Sequence, residues 1–252
     1  MNILQGILGL IFKIYIAVVF SICLGIFYLP ILFFKQNPKT IKKTFQVFKI
    51  WSWTFRILTF IHVCFEKKSQ LPKAPYIVVS NHASYLDIFL MYSILPQNEF
   101  LFLGKSEILA YPLMKTFFMN LNIPVFRNNR IKAAKSFIEA KNAVKNNWSL
   151  VIFPEGGIPD DENPKMIDFK EGAFKLAKDM RVPIVPLTFT NNHLLFSDPG
   201  DFLGKARPGI SKVFIHETIN VGQIETLTLP ELVQYSFDII NEPLLKIINK
   251  EK

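Results

Sequence analysis

The hydrophobic positions of this chain fall into two regimes. Residues 14–34, IYIAVVFSICLGIFYLPILFF, carry no charge, and neither does the segment Ile3–Phe12 ahead of Lys13. At about 1.5 Å per residue such a helix reaches roughly 31 Å, enough to cross a hydrocarbon core. The stretch lacks the basic leader and the small-residue cleavage site of a signal peptide. Lys35, Lys39, Lys42, Lys43 and Lys49 follow with no acid among them, the kind of flank that stays cytoplasmic and rests on anionic headgroups. Residues 51–65, WSWTFRILTFIHVCF, are too short and too polar to span, and their tryptophans suit a membrane interface. A single span and a helical pair dipping into one leaflet both fit, the second with a bend at Pro30.

From residue 75 the period changes. Short apolar runs at 76–80, 99–104, 123–126, 149–153, 182–189 and 212–219 predict strands, alternating with helical patterns at 84–95, 106–120, 131–146 and 171–180. The tail from Leu229 predicts a helix broken at Pro243. Strand runs apolar on both faces belong to a sheet covered on both sides. The expected fold is therefore α/β, a mostly parallel central sheet flanked by helices, with a hydrophobic helical membrane anchor over residues 1–65 and the α/β domain over 66–252.

Composition sharpens this only in part. Half of the residues are hydrophobic, and the formal net charge is +9 with a pI near 9.4. A basic chain fits an anionic lipid surface or a nucleic acid. The cations lie beside the apolar N-terminus and no nucleic-acid module is recognisable, so the lipid surface is the expected partner. Cys23 and Cys64 show neither metal-ligand spacing nor a disulfide framework and read as small buried apolar residues. His62, His193 and His216 are scattered and read as structural; no metal site is expected.

Three segments combine polar groups with turns. In NHASYLD, Asn81–Asp87, a strand runs into a helix whose expected N-cap is Ser84. Asp87 can fold back onto His82, fixing one imidazole nitrogen and presenting the other as a base. The same spacing is also that of a capping box, with Asp87 serving only the helix and His82 a polar turn residue. In IPVFRNNR, a strand delivers Arg127 and Arg130 to the start of a helix, where a phosphate or plain solvent suits them. In VIFPEGGIP, a buried strand ends in Glu155-Gly156-Gly157, whose glycines permit close backbone approach by a ligand. VPIVPLTF, residues 182–189, reads as a core strand and a wall for an acyl chain.

These four segments, in this order, resemble the 1-acyl-glycerol-3-phosphate acyltransferases of phospholipid synthesis. That family shows NHxxxxD, an arginine motif after a short strand, FPEGTR and a proline-containing hydrophobic strand; the resemblance covers roughly residues 75–190. FLGKSEI, residues 102–108, is similar to the family's lysine-bearing strand end. The resemblance implies His82 as general base, Asp87 as its orienting partner, and Arg127 and Lys105 on the acceptor's phosphate. It implies Glu155 and Gly156 at the glycerol backbone, and acyl-CoA or acyl-carrier protein as donor. Asn81, Arg130 and Gly157 complete the expected substrate-binding set.

FPEGTR here reads FPEGGI, so Gly157 and Ile158 stand where the family has Thr and Arg. Arg130, Lys165 and Lys170 are the nearby cations able to replace that arginine, and an acceptor other than lysophosphatidate, such as a lyso-aminolipid, would need less charge.

The expected reaction is direct attack on the thioester by a lysolipid hydroxyl deprotonated by His82, with no cofactor, at the cytoplasmic face of the cell membrane. The competing readings are a lipid hydrolase, for which the G-x-S-x-G nucleophile elbow is missing, and a non-catalytic membrane-binding protein, in which His82 and Asp87 would be replaceable.

Overall fold

The computed structural model describes residues 3–37, 40–110, 115, 118, 121–159 and 164–249. The two uncharged stretches and Lys13 between them form one continuous helix, α1 (Ile3–Lys35), which runs through Pro30. It is long and apolar enough to cross a membrane. The lysines from Lys42 to Lys49 lie in a second helix: α2 (Ile41–Leu58) buries Thr44, Phe45, Val47, Trp51, Ser52, Phe55 and Arg56, a helix-period stripe, and leaves Lys42 and Lys43 exposed and Lys49 half-buried.

The segment 51–65, read as one interfacial element, is divided. Trp51–Leu58 closes α2, Phe60 reverses the chain at φ 54, and β1 (Ile61–Lys68) follows. Cys64 is exposed on β1, against the expectation that it is buried, because strand alternation turns it to the opposite face from Ile61; Cys23 is buried in α1.

The remaining strands are β2 (Ile77–Ser80), β3 (Phe100–Lys105), β4 (Ile123–Val125), β5 (Ser149–Ile152), β6 (Ile184–Phe189) and β7 (Gly209–Ile215). They form a seven-stranded sheet in the order β1-β7-β6-β2-β5-β3-β4. The pairs β6/β2, β2/β5, β5/β3 and β3/β4 are all parallel, with Val78 level with both Val151 and Val185. The helices after α2 are α3 (Leu86–Ile94), α4 (Arg130–Lys145), α5 (Gly172–Met180), α6 (Asn192–Leu195), α7 (Val221–Thr226) and α8 (Leu229–Ile248). The helix expected over 106–120 opens as a 3-10 turn, Ser106–Ala110, and most of its remainder lies outside the described residues.

The tail helix is not broken at Pro243. It runs through, with Ile240, Pro243 and Leu244 buried, so tertiary burial offsets the missing N–H. Thr228 and Glu231 form a capping box at its start.

The chain divides into two compact units that interleave in sequence: one takes residues up to Glu66, then His82–Gln97 and Phe189–Val213, and the other takes Lys67–Asn81, Asn98–Thr188 and the segment from Phe214 onward.

In the first unit α1, α2 and α3 pack through aromatic pairs of Trp51 with Phe20 and Phe27, and of Phe55 with Phe89. Lys13 reaches out of α1 to the segment after α6, bonding Ser197 Oγ at 2.9 Å, the Asp198 carbonyl at 3.0 Å and the Asp201 carbonyl. Large apolar side chains from Ile3 to Phe33 remain exposed along α1, a surface that water does not favour and lipid does.

In the second unit the core lies between the parallel strands and α4, α5 and α8. Ile77, Leu150 and Ile184 meet Ala140, Phe174, Ala177 and Ile240. Because these strands run the same way, they deliver Asn81, Lys105, Arg127 and Glu155 from their carboxyl ends, the edge at which open parallel sheets bind ligands.

Candidate functional site

The first unit holds the histidine and the aspartate. β2 is wholly buried, which fixes where the chain leaves the sheet. Asp87, in the first turn of α3, is 0% exposed and His82 is 9% exposed. His82 Nδ1 lies 2.9 Å from Asp87 Oδ2. The same oxygen accepts the backbone N–H groups of Ala83 at 2.8 Å and Ser84 at 2.9 Å. The carboxylate therefore ties the amides of the turn and holds the imidazole with the same oxygen.

An ionised carboxylate only accepts hydrogen bonds, so His82 Nδ1 carries the proton and the lone pair resides on Nε2. Ser84 is not the N-cap. That position falls to Tyr85, which makes no side-chain cap; the Ser84 hydroxyl still accepts the Leu86 N–H at 3.2 Å, as a cap would, and donates to the Phe196 carbonyl at 2.6 Å.

A residue outside the sequence-derived set joins this pair. Asn192, the first residue of α6, donates from Nδ2 to Asp87 Oδ1 at 2.7 Å. It follows the 182–189 strand directly, but nothing in the run TNNH marks one asparagine over the other.

The second unit gathers cations. Gly156 adopts φ +85, a conformation open to glycine. A Cβ there would lie 2.6 Å and 2.8 Å from the two terminal guanidinium nitrogens of Arg127 and 2.8 Å from Lys170 Nζ. A Cβ on Gly157 would meet Lys105 Nζ at 3.6 Å. Lys105, Arg127 and Lys170 therefore surround the glycine pair. The crowding is electrostatic as well as steric: burial, then the charges of Arg127 and Lys105, hold the Lys170 ammonium below the usual lysine range. Glu107 is a carboxylate within reach of this field; its own backbone hydrogen bond, with smaller help from Lys105 and Arg127, holds it below the usual range.

Lys170 is thus one of the three cations expected to replace the arginine missing at Ile158. Its placement follows from two anchors. The Lys170 N–H donates to the Pro154 carbonyl at 3.0 Å, and Glu155 Oε2 accepts the Ile167 N–H at 3.1 Å. Glu155, only 3% exposed, spends that oxygen on the segment that carries Lys170. Arg130 opens α4 as an exposed residue behind its N-cap Asn129, which accepts Lys132 N–H at 2.9 Å. Asn81 is buried at the end of β2. His216, read as structural, donates to Thr188 Oγ1 at 2.9 Å within the core, and burial pushes its pKa down to about 4.

The arrangement offers an oriented imidazole base and, in the other unit, a cluster of cations suited to a phosphate. The family model described as Acyltransferase matches residues 62–190. A 1-acyl-sn-glycerol-3-phosphate acyltransferase of Cocos nucifera is 36% identical over 128 residues, 50% of this chain and 41% of that one. A protein of the same name from Saccharomyces cerevisiae is 36% identical over 133 residues, covering 52% and 43%. The chain thus spans less than half the length of these two relatives. The crystal structure of the 1-acyl-sn-glycerophosphate (LPA) acyltransferase PlsC from Thermotoga maritima superposes with a TM-score of 0.77 over 96% of this chain and 97% of that one, at 22% identity; this likeness is one of fold.

Proposed function

The chain belongs to the acyltransferase family, and from that premise we propose that it transfers a fatty acyl group from a thioester to the free hydroxyl of 1-acyl-glycerol-3-phosphate, giving phosphatidate for phospholipid synthesis. The observation that carries this reading is the bond between His82 Nδ1 and Asp87 Oδ2 at 2.9 Å. It leaves Nε2 as the basic nitrogen, and a base of fixed tautomer is what a hydroxyl nucleophile requires.

The reaction is direct. His82 Nε2 takes the acceptor's hydroxyl proton as the oxygen attacks the thioester carbonyl. The tetrahedral intermediate collapses with cleavage of the carbon–sulfur bond, and the imidazolium returns its proton to the leaving thiolate. The nucleophile belongs to the substrate, so no serine or cysteine of the protein is acylated and no cofactor is consumed. The donor is acyl-CoA or acyl-carrier protein.

The cations support a phosphate-bearing acceptor. Lys105, Arg127 and Lys170 converge on Gly156 and Gly157, and a phosphate monoester carries the charge that three cations oppose. A lyso-aminolipid does not. Lys170 restores the charge lost at Ile158, and the backbone at Gly156 and Gly157 gives the phosphoglycerol a close approach.

The apolar length of α1 supports an anchor at the membrane, with the lysines of α2 resting on anionic lipid at the cytoplasmic face of the cell membrane. A monoacyl acceptor lies in the bilayer and a thioester donor arrives from water, so an anchored domain meets both.

Product analysis tests this directly. Purified protein in detergent is given a panel of lysolipids with acyl-CoA or acyl-carrier protein, beside a His82→Ala control. Phosphatidate made by the wild type alone is expected. A diacyl product from an aminolipid only would replace the acceptor, and no product from any combination would leave the non-catalytic membrane protein as the better reading.

A further inference from the structure

Asn192 is 0% exposed and lies 105 residues along the chain from the carboxylate it touches. Three donors, His82 Nδ1 and the Ala83 and Ser84 amides, converge on Oδ2 of Asp87. These three bonds hold one side of the carboxylate; rotation about its Cβ–Cγ bond, a soft torsion, is resisted on the other side by the donor to Oδ1. Among the described residues, the donor to the other oxygen is Asn192 Nδ2 at 2.7 Å. The orientation of the amide follows from its partner, since an ionised carboxylate cannot donate. Asn192 Oδ1, facing away, is buried with no donor among the described residues. Burying an unmet carbonyl is a cost that an apolar residue of the same size would avoid. What the amide supplies is its N–H to Asp87.

Resting on the acyl-transfer reading, we propose that Asn192 is a positioning residue for the reaction. It locks the plane of the Asp87 carboxylate so that Oδ2 stays aimed at His82 Nδ1 and Nε2 is presented to the acceptor hydroxyl. It touches neither substrate nor reacting atom; it acts through Asp87.

Two substitutions that keep the number of side-chain heavy atoms test this in detergent-purified full-length protein, assayed with lysophosphatidate and the thioester that the wild type uses. Asn192→Leu removes the donor. Its kcat falls at least tenfold while the acceptor KM stays within about twofold, the signature of a lost transition-state contribution. Asn192→Asp sets a second carboxylate against the first. Its deficit relative to wild type is deep near about pH 8 and shrinks toward about pH 5, where the facing carboxylates share a proton and regain a hydrogen bond. A residue that only fills space would give a deficit independent of pH.

A kcat within twofold of wild type for Asn192→Leu, or a flat ratio for Asn192→Asp, overturns the proposal. Should Asn192→Leu fail to fold, the pH ratio of Asn192→Asp decides alone. The wild type run alongside separates the two readings. If it makes no product, acyl transfer fails and this role with it; if it is active and the variants are unaffected, this role alone fails.

Discussion

Asp87 holds His82 by the same oxygen that caps the turn between β2 and α3, at 2.9 Å from Nδ1. Removing the carboxylate altogether therefore conflates two effects, since Ala83 and Ser84 lose their acceptor together with His82. Unpaired buried donors cost about 1–3 kcal/mol each, so Asp87→Ala is expected to lower stability as well as activity. His82→Ala separates them. The turn keeps its cap, the melting temperature stays near wild type, and kcat falls about 10²–10⁴-fold, the usual worth of a positioned base. Parallel kcat and calorimetric measurements check this; a fully active His82→Ala protein removes the proposed base.

Gly156 carries a separate constraint. Its φ of +85 is poorly accessible to other residues, and a Cβ would come within 2.6–2.8 Å of Arg127 and Lys170 nitrogens. Gly156→Ala is expected to lose roughly 1–3 kcal/mol of stability from backbone strain. It also pushes the cations apart and raises the acceptor KM. Denaturant unfolding and steady-state kinetics read the two effects independently, and an unchanged KM would detach Gly156 from the acceptor.

Much of this was legible in the sequence, and the limits are physical. The buried parallel strands announced themselves as apolar runs between turn residues, and each expected strand from β2 to β6 lies within two residues of its observed ends. The His82–Asp87 pair was legible because a strand-to-helix turn brings residues five apart together. β1 was not, because alternation in Ile61–Phe65 resembles an interfacial segment once it is joined to the tryptophans of α2. The convergence of Lys105, Arg127 and Lys170 depends on strand order and on the Glu155–Ile167 tie, neither of which has a local signature. Asn192 reaches Asp87 across the fold, and no spacing rule covers a contact of that range. The continuity of α8 through Pro243 was set by burial, which overrides a local helix breaker.

His216 makes the fold sensitive to acid. It is buried and donates to Thr188 Oγ1, which in turn donates to the Ile240 carbonyl in α8. Burial lowers its pKa to about 4 from 6.5, so the unfolded chain binds the proton more tightly than the folded one. The stability tied to neutral His216 is present above about pH 6.5 and is lost as the pH falls toward about 4, by up to a few kcal/mol. His216→Gln has no titration in that window. Its melting temperature is expected to fall less steeply between about pH 6.5 and pH 4. Parallel curves for the two proteins would show that another group governs acid unfolding.

Lys170 sets binding against stability. Burial and the charges of Arg127 and Lys105 disfavour its ammonium in the ligand-free fold, so the unfolded chain holds this proton more tightly. Removing the charge, as in Lys170→Met, is therefore expected to raise the melting temperature of the ligand-free protein slightly. The same substitution removes a cation from the proposed phosphate cluster. The acceptor KM should rise by about tenfold, the scale of one charge-assisted hydrogen bond at a partly solvated site, with kcat little changed. The lowered pKa gives a second signature. In the wild type the cation is lost on the alkaline side below the ordinary lysine value, so the acceptor KM climbs there. Lys170→Arg, whose guanidinium does not titrate in that range, keeps a flat KM to higher pH. Thermal shift without ligand, thermal shift with glycerol 3-phosphate, and the pH dependence of KM read these effects separately. A Lys170→Met protein with unchanged acceptor KM and an undiminished thermal shift on adding glycerol 3-phosphate would return the replacement of the missing arginine to Arg130 or Lys165.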